Sequence, residues 1–448
     1  MATFFYAILP TNKALLKSTN INIPADSSYW DKLLNWTHQF ENIVVFYPQQ
    51  VDKYPFGAFP KCIAVGNKKL KLNPPYFQSL KSYIKDNPTQ KLFGYLGYDL
   101  KNELEKLKSE NQESIAWKPM NFFVPECIIL FEKNQLSIQS EDVNYYYNEI
   151  KNVLSSSESK EEGEFKISHL VAWTNKSEYI NTVEKLRNHI EEGDIYEINY
   201  CINFSAYSQQ INPIQVFKQL CQNSPAPFAS FLKMDKKYIV SASPERYIKL
   251  KDNKIISQPI KGTARRGKTD LEDKENKKQL SESEKERAEN MMIVDLVRND
   301  LAKSAKTGSV KVDEIFGIYS FQQVHQMIST ISAEKRDTVH PVDVIKNAFP
   351  MGSMTGAPKI RAMELIEEYE NSKRNVFSGS IGYFNGENEF DFNVLIRSIY
   401  YDEETNNLNY QVGSAITYDS DAEAEYEECL LKAKAIEKTL GISSSNNS

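Results

Sequence analysis

Residues Gln258–Gly267 read QPIKGTARRG. The run that enters them, NKIISQPIKGT over Asn253–Thr263, has the pattern of a strand that stops at a Gly-Thr turn. A lysine at such an end, Lys261, is a solvated charge, a clamp for phosphate or carboxylate, or a nucleophile. The stretch alone leaves all three open. A nucleophile must first shed its proton. The ordinary lysine pKa of ~10.4 would have to fall to ~7–8, a shift worth roughly 4 kcal/mol. Burial in the apolar strand beside other cations is the expected source of that shift.

Strand patterns lie on either side. KYIVSASPERYIKL (Lys237–Leu250) is a strand, a Ser-Pro break and another strand. SESEKERAENMMIVDLVRNDLAKSA (Ser281–Ala305) is a long helix. Further back, Tyr179, Val183, Leu186 and Ile190 recur at helical spacing, with Ser177 as the expected N-cap and Gly193-Asp194 as the end. IYEINYCINF then continues as a strand. The last helix runs from about Asp421 to Leu440, with Ser420 and Glu423 spaced as a capping box. In the first ~150 residues NIVVFYP, CIAVG and CIILFE read as strands, and GYLGYDLKNELEKL as a strand or turn leading into a helix. Residues 151–170 contain the polar, acidic stretch SSSESKEEGEFK and are expected to be a linker or surface loop. The tail 441–448, GISSSNNS, is expected to be disordered. Strands and helices mix throughout, so the class is α/β or α+β, with layers around a sheet core.

Composition narrows the function. The chain has 448 residues, 41% hydrophobic and 12% aromatic, which is ample for a sizeable core. A net charge of −6 with no long basic block leaves no electrostatic footprint for nucleic acid. Five scattered cysteines without CxxC spacing fit buried, reduced thiols better than a disulfide or zinc framework. The start, MATFFYAILPTNKALL, lacks the pattern of a secretory signal, and no run of ~18 apolar residues spans a membrane. A cytoplasmic location is the expectation.

Several residue sets can carry chemistry. Glu286 and Glu289 lie three apart on one helix, and Glu425 and Glu428 three apart on another, so each pair shares a face. Solvated acidic stripes are the bland reading. Carboxylates from two helices beside an anionic substrate also suit Mg²⁺, which takes few protein ligands and keeps waters or ligand oxygens. Lys432 continues the face of Glu428. In FPMGSMTGAPKIRAMELI (Phe349–Ile366), Thr355-Gly356-Ala357 is expected to open a helix, with Pro358 in its first turn and free amides as an anion cradle. Arg397, a lone cation among apolar neighbours in FNVLIRSIYY, is either half of a structural salt bridge or a clamp for a ligand carboxylate. His325, in FQQVHQMIST, is a hydrogen-bonded structural histidine or a catalytic one.

Taken together, PIKGTARRG, SEKERAENMMIVDLVRNDL, FPMGSMTGAPKIRAMELI, FSGSIGYF and EAEYEECLLKA occur in the order and spacing of one family. From about Trp173 to Leu440 the chain resembles the chorismate-utilising enzymes. These are anthranilate synthase component I, aminodeoxychorismate synthase component I, and the isochorismate and salicylate synthases. FGYLGYDL at Phe93–Leu100 resembles their N-terminal region. The resemblance implies a large α/β sandwich of two sheets with outer helices, the anthranilate synthase component I fold. In it 1–150 is an N-terminal region and 171–440 the chorismate-binding catalytic part. It implies Lys261 as a nucleophile at C2 of chorismate, since anthranilate synthases look like PIAGT at that point and aminodeoxychorismate synthases carry PIKGT. It implies Glu245 as general acid/base, and Glu289 and Glu428, with Glu286 and Glu425 beside them, as carboxylates for Mg²⁺. Thr263, His325, Thr355, Arg397, Gly413 and Lys432 match positions that contact substrate.

The activity so implied is a transferase one, amination of chorismate at C4 for 4-aminobenzoate and folate synthesis. Ammonia would come from a separate glutamine amidotransferase subunit. Anthranilate synthase is the alternative. Two departures stand out. Glu197 occupies the position where the water-adding relatives carry lysine and the amine-adding ones more often glutamine. Gly413-Ser414-Ala415-Ile416 replaces the commoner AGGGI.

Overall fold

The computed structural model describes residues 16–23, 28–49, 54–156, 167, 170–208 and 211–442. The expected signal-free start, most of the acidic stretch after Ser156 and the last six residues lie outside them.

Two large sheets form the frame. Among the described residues one has twelve strands and the other ten, and their ladders are antiparallel. The larger sheet runs in order through Lys17–Asn22, Gln135–Ser140, Cys127–Glu132, Cys62–Gly66, Asn42–Phe46, Phe228–Met234, Lys237–Ser243, Ser398–Asp402, Asn407–Ile416, Glu197–Tyr207 and Gly356–Ala357. The smaller sheet runs through Ile260–Arg265, Val324–Glu334, Lys254–Gln258, Arg246–Lys251, Phe390–Asn393, Ser380–Asn385, Lys91–Leu96, Met120–Val124 and Lys68–Lys69. Each sheet draws strands from before and after the acidic stretch, so that stretch does not divide the core. The expected two-sheet sandwich with outer helices is what forms.

The strands are apolar on both sides because both sides are covered. In Asn42–Phe46 every residue is buried. Val44 and Phe46 face the core shared with the smaller sheet, and Ile43 and Val45 face a second core under helices. Alternate residues of a strand point to opposite faces, so an unbroken apolar run satisfies two cores at once. Phe46 bridges the layers, with ring centroids 6.0 Å from Phe93 and 5.9 Å from Tyr383 of the other sheet. Tyr179, Val183 and Leu186 pack into the second core beside Phe217, Leu220, Cys429 and Ile436. All five cysteines are buried and free.

Three local expectations are corrected. The helix Lys176–Glu191 is capped by Asn175, not Ser177, because Asn175 and Glu178 form a reciprocal capping box. The helix Ala422–Thr439 is capped by Asp421, whose side chain accepts from the Ala424 amide. Ser420 instead donates to Glu425 at 2.9 Å. Gly356–Ala357 is not helical. It pairs with Glu197–Ile198, and the helix Lys359–Tyr369 begins after Pro358. The Met354 and Thr355 amides bond to Met351 and Gly352 carbonyls, so they are not a free anion cradle. No described helix is long and apolar enough to cross a membrane.

A charged group also locks the smaller sheet. Arg246 is wholly buried and grips Asp391 through Nε (2.9 Å) and Nη2 (3.0 Å), with Gln258 and the Gly57 carbonyl taking its other donors. Arg246→Leu strands the Asp391 carboxylate in the core and should lower stability by about 3–5 kcal/mol. The double variant Arg246→Leu/Asp391→Leu should recover most of that loss. Urea-unfolding midpoints of the two proteins check both statements.

Candidate active site

Among the described residues the chain crosses between the sheets six times, and two of the crossings carry charged site residues. Glu245 lies between Lys237–Ser243 of the larger sheet and Arg246–Lys251 of the smaller. Arg397 lies between Phe390–Asn393 of the smaller sheet and Ser398–Asp402 of the larger. A third group, Lys261, comes from the edge strand of the smaller sheet. Ile260 pairs with Ile328 and Thr263 with Gln326, so Lys261 and Gly262 together oppose Met327 alone. That extra residue is a β-bulge, and Gly262 supplies the positive φ of 95° it needs. The bulge re-aims Lys261 across the gap. Its Nζ donates to Glu197 Oε1 of the larger sheet at 2.6 Å, with 11% of the lysine side chain and 2% of the glutamate exposed.

The electrostatics around Lys261 differ from the expectation. Burial alone would lower its pKa, but Glu197, Glu289 and Glu428 outweigh burial and raise it above the ordinary lysine value. Its neighbours are carboxylates, not cations, because the strand end faces two acid-bearing helices. In this arrangement Lys261 is an ammonium.

Glu245 is a buried carboxyl whose charged form is disfavoured. Burial pushes its pKa up to about 7, against a hydrogen bond from Ser353 and the charge of Lys261. Ser353 Oγ donates to Glu245 Oε1 at 2.7 Å. A carboxyl poised there holds a proton at neutral pH and can also lose it.

Two helices bring the remaining carboxylates together. Glu284–Ala302 packs on the smaller sheet and Ala422–Thr439 on the larger. Lys285 Nζ sits 3.9 Å from Glu289 and 3.6 Å from Glu425, so one ammonium spans the acids of both helices. Burial pushes Glu289 up to about 7, with Glu197 and Glu286 adding to the rise and Lys261 opposing it. Glu286 is raised as well, by burial and then by Glu428. Burial would raise Glu428, yet Lys432, 2.7 Å away, holds it below the usual carboxylate range. Mutual repulsion of this kind is relieved by a bound cation. Carboxylate oxygens on two facing helices fit Mg²⁺ by donor chemistry. The sole trio of described side chains with ligand atoms within 4.8 Å of one another is elsewhere, at His189, Glu192 and Asp194. No three of the four glutamates bring ligand atoms that close, so an ion held there would have to draw most of its ligands from water or a bound molecule.

Arg397 has no side-chain hydrogen bond or ion pair among the described residues, and burial is the one influence on its pKa, which it lowers. The structural salt bridge is absent. An unpartnered, enclosed guanidinium is the group that a ligand carboxylate would satisfy. It sits in left-handed backbone, φ 51°. Lys432 Nζ reaches the Gly413 carbonyl at 2.8 Å, and a Cβ at 413 would lie 2.4 Å from Cys201 Sγ. Ser414 is turned away, bonded to Tyr179 OH at 2.7 Å. Thr355 is fully buried, and its hydroxyl reaches the Met351 and Gly352 carbonyls at 3.3 Å. Thr263 is exposed on the bulged strand. His325, on the strand beside it, has both ring nitrogens engaged, by Ser320 at 2.8 Å and Asp273 at 3.1 Å.

Some supporting residues escaped the sequence reading. Ser353 lies in the motif read for its glycines and Pro358, and Lys285 in the one read for its acids. Arg374 is buried against Glu370, four residues earlier, and donates to the Met354 and Asn199 carbonyls. It thereby ties the loop before Thr355 to the strand of Glu197. The i, i+4 Glu-Arg spacing was the available signal. Asn290 Nδ2 reaches the Lys261 carbonyl at 3.4 Å while its Oδ1 accepts from Ser329.

This arrangement has relatives. A family model described as chorismate binding enzyme matches residues 42–438. The chain belongs to that family. Its chorismate-binding relatives carry two kinds of name. The component 1 of aminodeoxychorismate synthase from Salmonella typhimurium is 35% identical over 77% of this chain and 75% of its own. The component 1 of anthranilate synthase from Saccharolobus solfataricus is 30% identical over 84% of this chain and 88% of its own. A probable chloroplastic aminodeoxychorismate synthase of Oryza sativa is 41% identical over 59% of this chain, and the match spans only 30% of that longer protein. In fold, the anthranilate synthase component I from Streptococcus pneumoniae superposes with a TM-score of 0.73 over 97% of this chain and 94% of its own, at 24% identity.

The bulge makes a sharp test of how Lys261 is held. A Cβ at position 262 would sit 3.1 Å from Glu286 Oε2 and 3.3 Å from Leu280 and Met327, at a φ that suits glycine. Gly262→Ala should cost about 1–3 kcal/mol of stability. It should also slow any turnover that depends on Lys261 by about 10²-fold, because the lysine is displaced from its place across the gap. Unfolding midpoints and initial rates on the same preparation check both.

Proposed function

We propose that the chain is the aminating component of a 4-amino-4-deoxychorismate synthase. It would convert chorismate and ammonia to 4-amino-4-deoxychorismate, in the cytoplasm, on the way to 4-aminobenzoate and folate. The nitrogen would be released by a separate glutamine amidotransferase subunit. The observation that carries this reading is the placement of Lys261, aimed across the gap between the sheets with Glu245 in electrostatic reach. A lysine here gives the site a nucleophile that the PIAGT pattern lacks. The relatives named as aminodeoxychorismate synthase component 1 support the same choice.

The steps follow from the residues. Arg397 takes a substrate carboxylate as its missing partner. Mg²⁺, held by Glu289 and Glu428 with Glu286 and Glu425 beside them, would neutralise these acids and bind a substrate carboxylate. Attack needs the free amine, and the hydrogen bond from Lys261 Nζ to Glu197 Oε1 is the route by which its proton leaves. The amine then bonds to C2 of chorismate as the C4 hydroxyl departs with the proton of Glu245 as water. Ammonia adds at C4 and the bond between Lys261 and C2 breaks; the new C4 ammonium returns a proton to Glu245, and the lysine recovers its own from Glu197.

Chorismate, Mg²⁺ and ammonium chloride should yield 4-amino-4-deoxychorismate, identified by mass and chromatography. Anthranilate with pyruvate would overturn the reading in favour of the anthranilate synthase alternative, a name that other relatives carry. Lys261→Ala should depress amination at C4 by about 10³-fold or more, since a covalent route has no nucleophile. The pH profile tests Glu245. The acid must hold its proton, so the rate should fall as pH rises through about 7. Ser353 stabilises the ionised form by donating to it, so Ser353→Ala should move that fall to higher pH.

A further inference from the structure

Among the described residues three ammonium groups act on Glu286, Glu289 and Glu428, and two of them are locked. Lys261 donates to Glu197 at 2.6 Å. Lys432 lies 2.7 Å from Glu428 and donates to the Gly413 carbonyl at 2.8 Å. The third, Lys285, is held by charge alone. Its Nζ stands 3.9 Å from Glu289 Oε1 and 3.6 Å from Glu425 Oε1, too far for hydrogen bonds. Local helix physics does not explain its place. Lys285 is in the first turn of Glu284–Ala302, where the helix dipole disfavours a cation. Its pairing with Glu289 runs lysine before glutamate, the weaker order for an i, i+4 pair. What holds it is the acids of both helices. Burial would lower its pKa, but Glu425, then Glu289, Glu286 and Glu428, outweigh burial and raise it. The Lys285 side chain is 51% exposed, against 11% for Glu289 and 5% for Glu425. The ammonium therefore lies on the solvent side of buried acids, on a flexible stem that can carry it away.

We propose that Lys285 is a resident counter-ion of the glutamate cluster, which stands in for a divalent cation and must swing into solvent when that cation binds. This rests on the reading of Glu286, Glu289, Glu425 and Glu428 as carboxylates for Mg²⁺. The two cations compete for the same oxygens, because an ammonium this close to them would repel a doubly charged ion bonded to them. Lys285 thereby does two things. It offsets the mutual repulsion of the acids in the metal-free protein. It also weakens metal binding, since only the fraction of molecules with the lysine turned out is competent to bind. The exchange makes and breaks no covalent bond.

Lys285→Met tests the assignment. It keeps an unbranched stem and good helix propensity and removes the charge. Mn²⁺ serves as the probe, since it takes the same oxygen ligands as Mg²⁺ and its free concentration is read by electron paramagnetic resonance. With chorismate absent and ionic strength fixed, the Kd for Mn²⁺ should fall about tenfold in Lys285→Met. In Lys285→Arg, which keeps the charge, it should stay within about twofold of the native value. Thermal midpoints give a second readout. In EDTA, Lys285→Met should melt below the native protein, because its acids repel without an ammonium among them. Mg²⁺ should then raise its midpoint by more than it raises the native one. An unchanged or weaker Mn²⁺ affinity in Lys285→Met would overturn the proposal, and so would an unchanged midpoint in EDTA. Glu289→Gln separates that failure from failure of the metal reading. If it binds Mn²⁺ as well as the native protein does, the ion lies elsewhere and the reading of the glutamates falls first. The aminating reading fails separately, on the identity of the product.

Discussion

The ion pair between Lys261 and Glu197 crosses from one sheet to the other, and the site is arranged around it. Two nearly buried charges in a gap between sheets are costly unless their geometry is good and their remaining bonds are met. Here the lysine is additionally surrounded by Glu289 and Glu428, and one glutamate oxygen goes unmet. Such a pair is a poor device for stability. It suits chemistry better, because it holds an amine and a carboxylate that can exchange a proton 2.6 Å apart.

The pair can exist only because the walls on either side are rigid. On one side a β-bulge with a left-handed glycine turns Lys261 out of its strand. On the other, Arg374 fastens the strand of Glu197 to the loop of Ser353 and Thr355 through two backbone carbonyls. Arg246 and Asp391 clamp the strand that follows Glu245. Buried arginines therefore stand one layer behind Lys261, Glu197 and Glu245, each paired with an acid, while Arg397 has no such partner among the described residues.

Much of this was readable from short stretches. Apolar runs such as NIVVFYP marked strands, and the Ser-Pro break in KYIVSASPERYIKL marked a strand boundary. What the break does, carrying the chain from one sheet to the other, depends on packing that no local pattern encodes. Caps were misread for a related reason. Ser177 and Ser420 have the right residue type, but the choice of Asn175 and Asp421 was made by which side chain met a reciprocal partner. The Gly356-Ala357 segment reads as the start of a helix by its prolines and glycines. It became an edge strand because Glu197–Ile198 had an open side to pair.

By itself the sequence determined the family, through motifs in a fixed order, and the resemblance carried the expectation of a two-sheet sandwich with its candidate acids, lysine and arginine; apolar periodicity, a local record, marked the strands and helices. Tertiary structure alone decided their electrical state. Lys261 sits among carboxylates rather than cations, Glu245 lies in a dry crossing that lifts its pKa to about 7, and Arg397 meets no acid. Charge interactions depend on distance and burial in three dimensions, and residues as far apart in the chain as Glu197 and Lys261 become neighbours only when both sheets are in place.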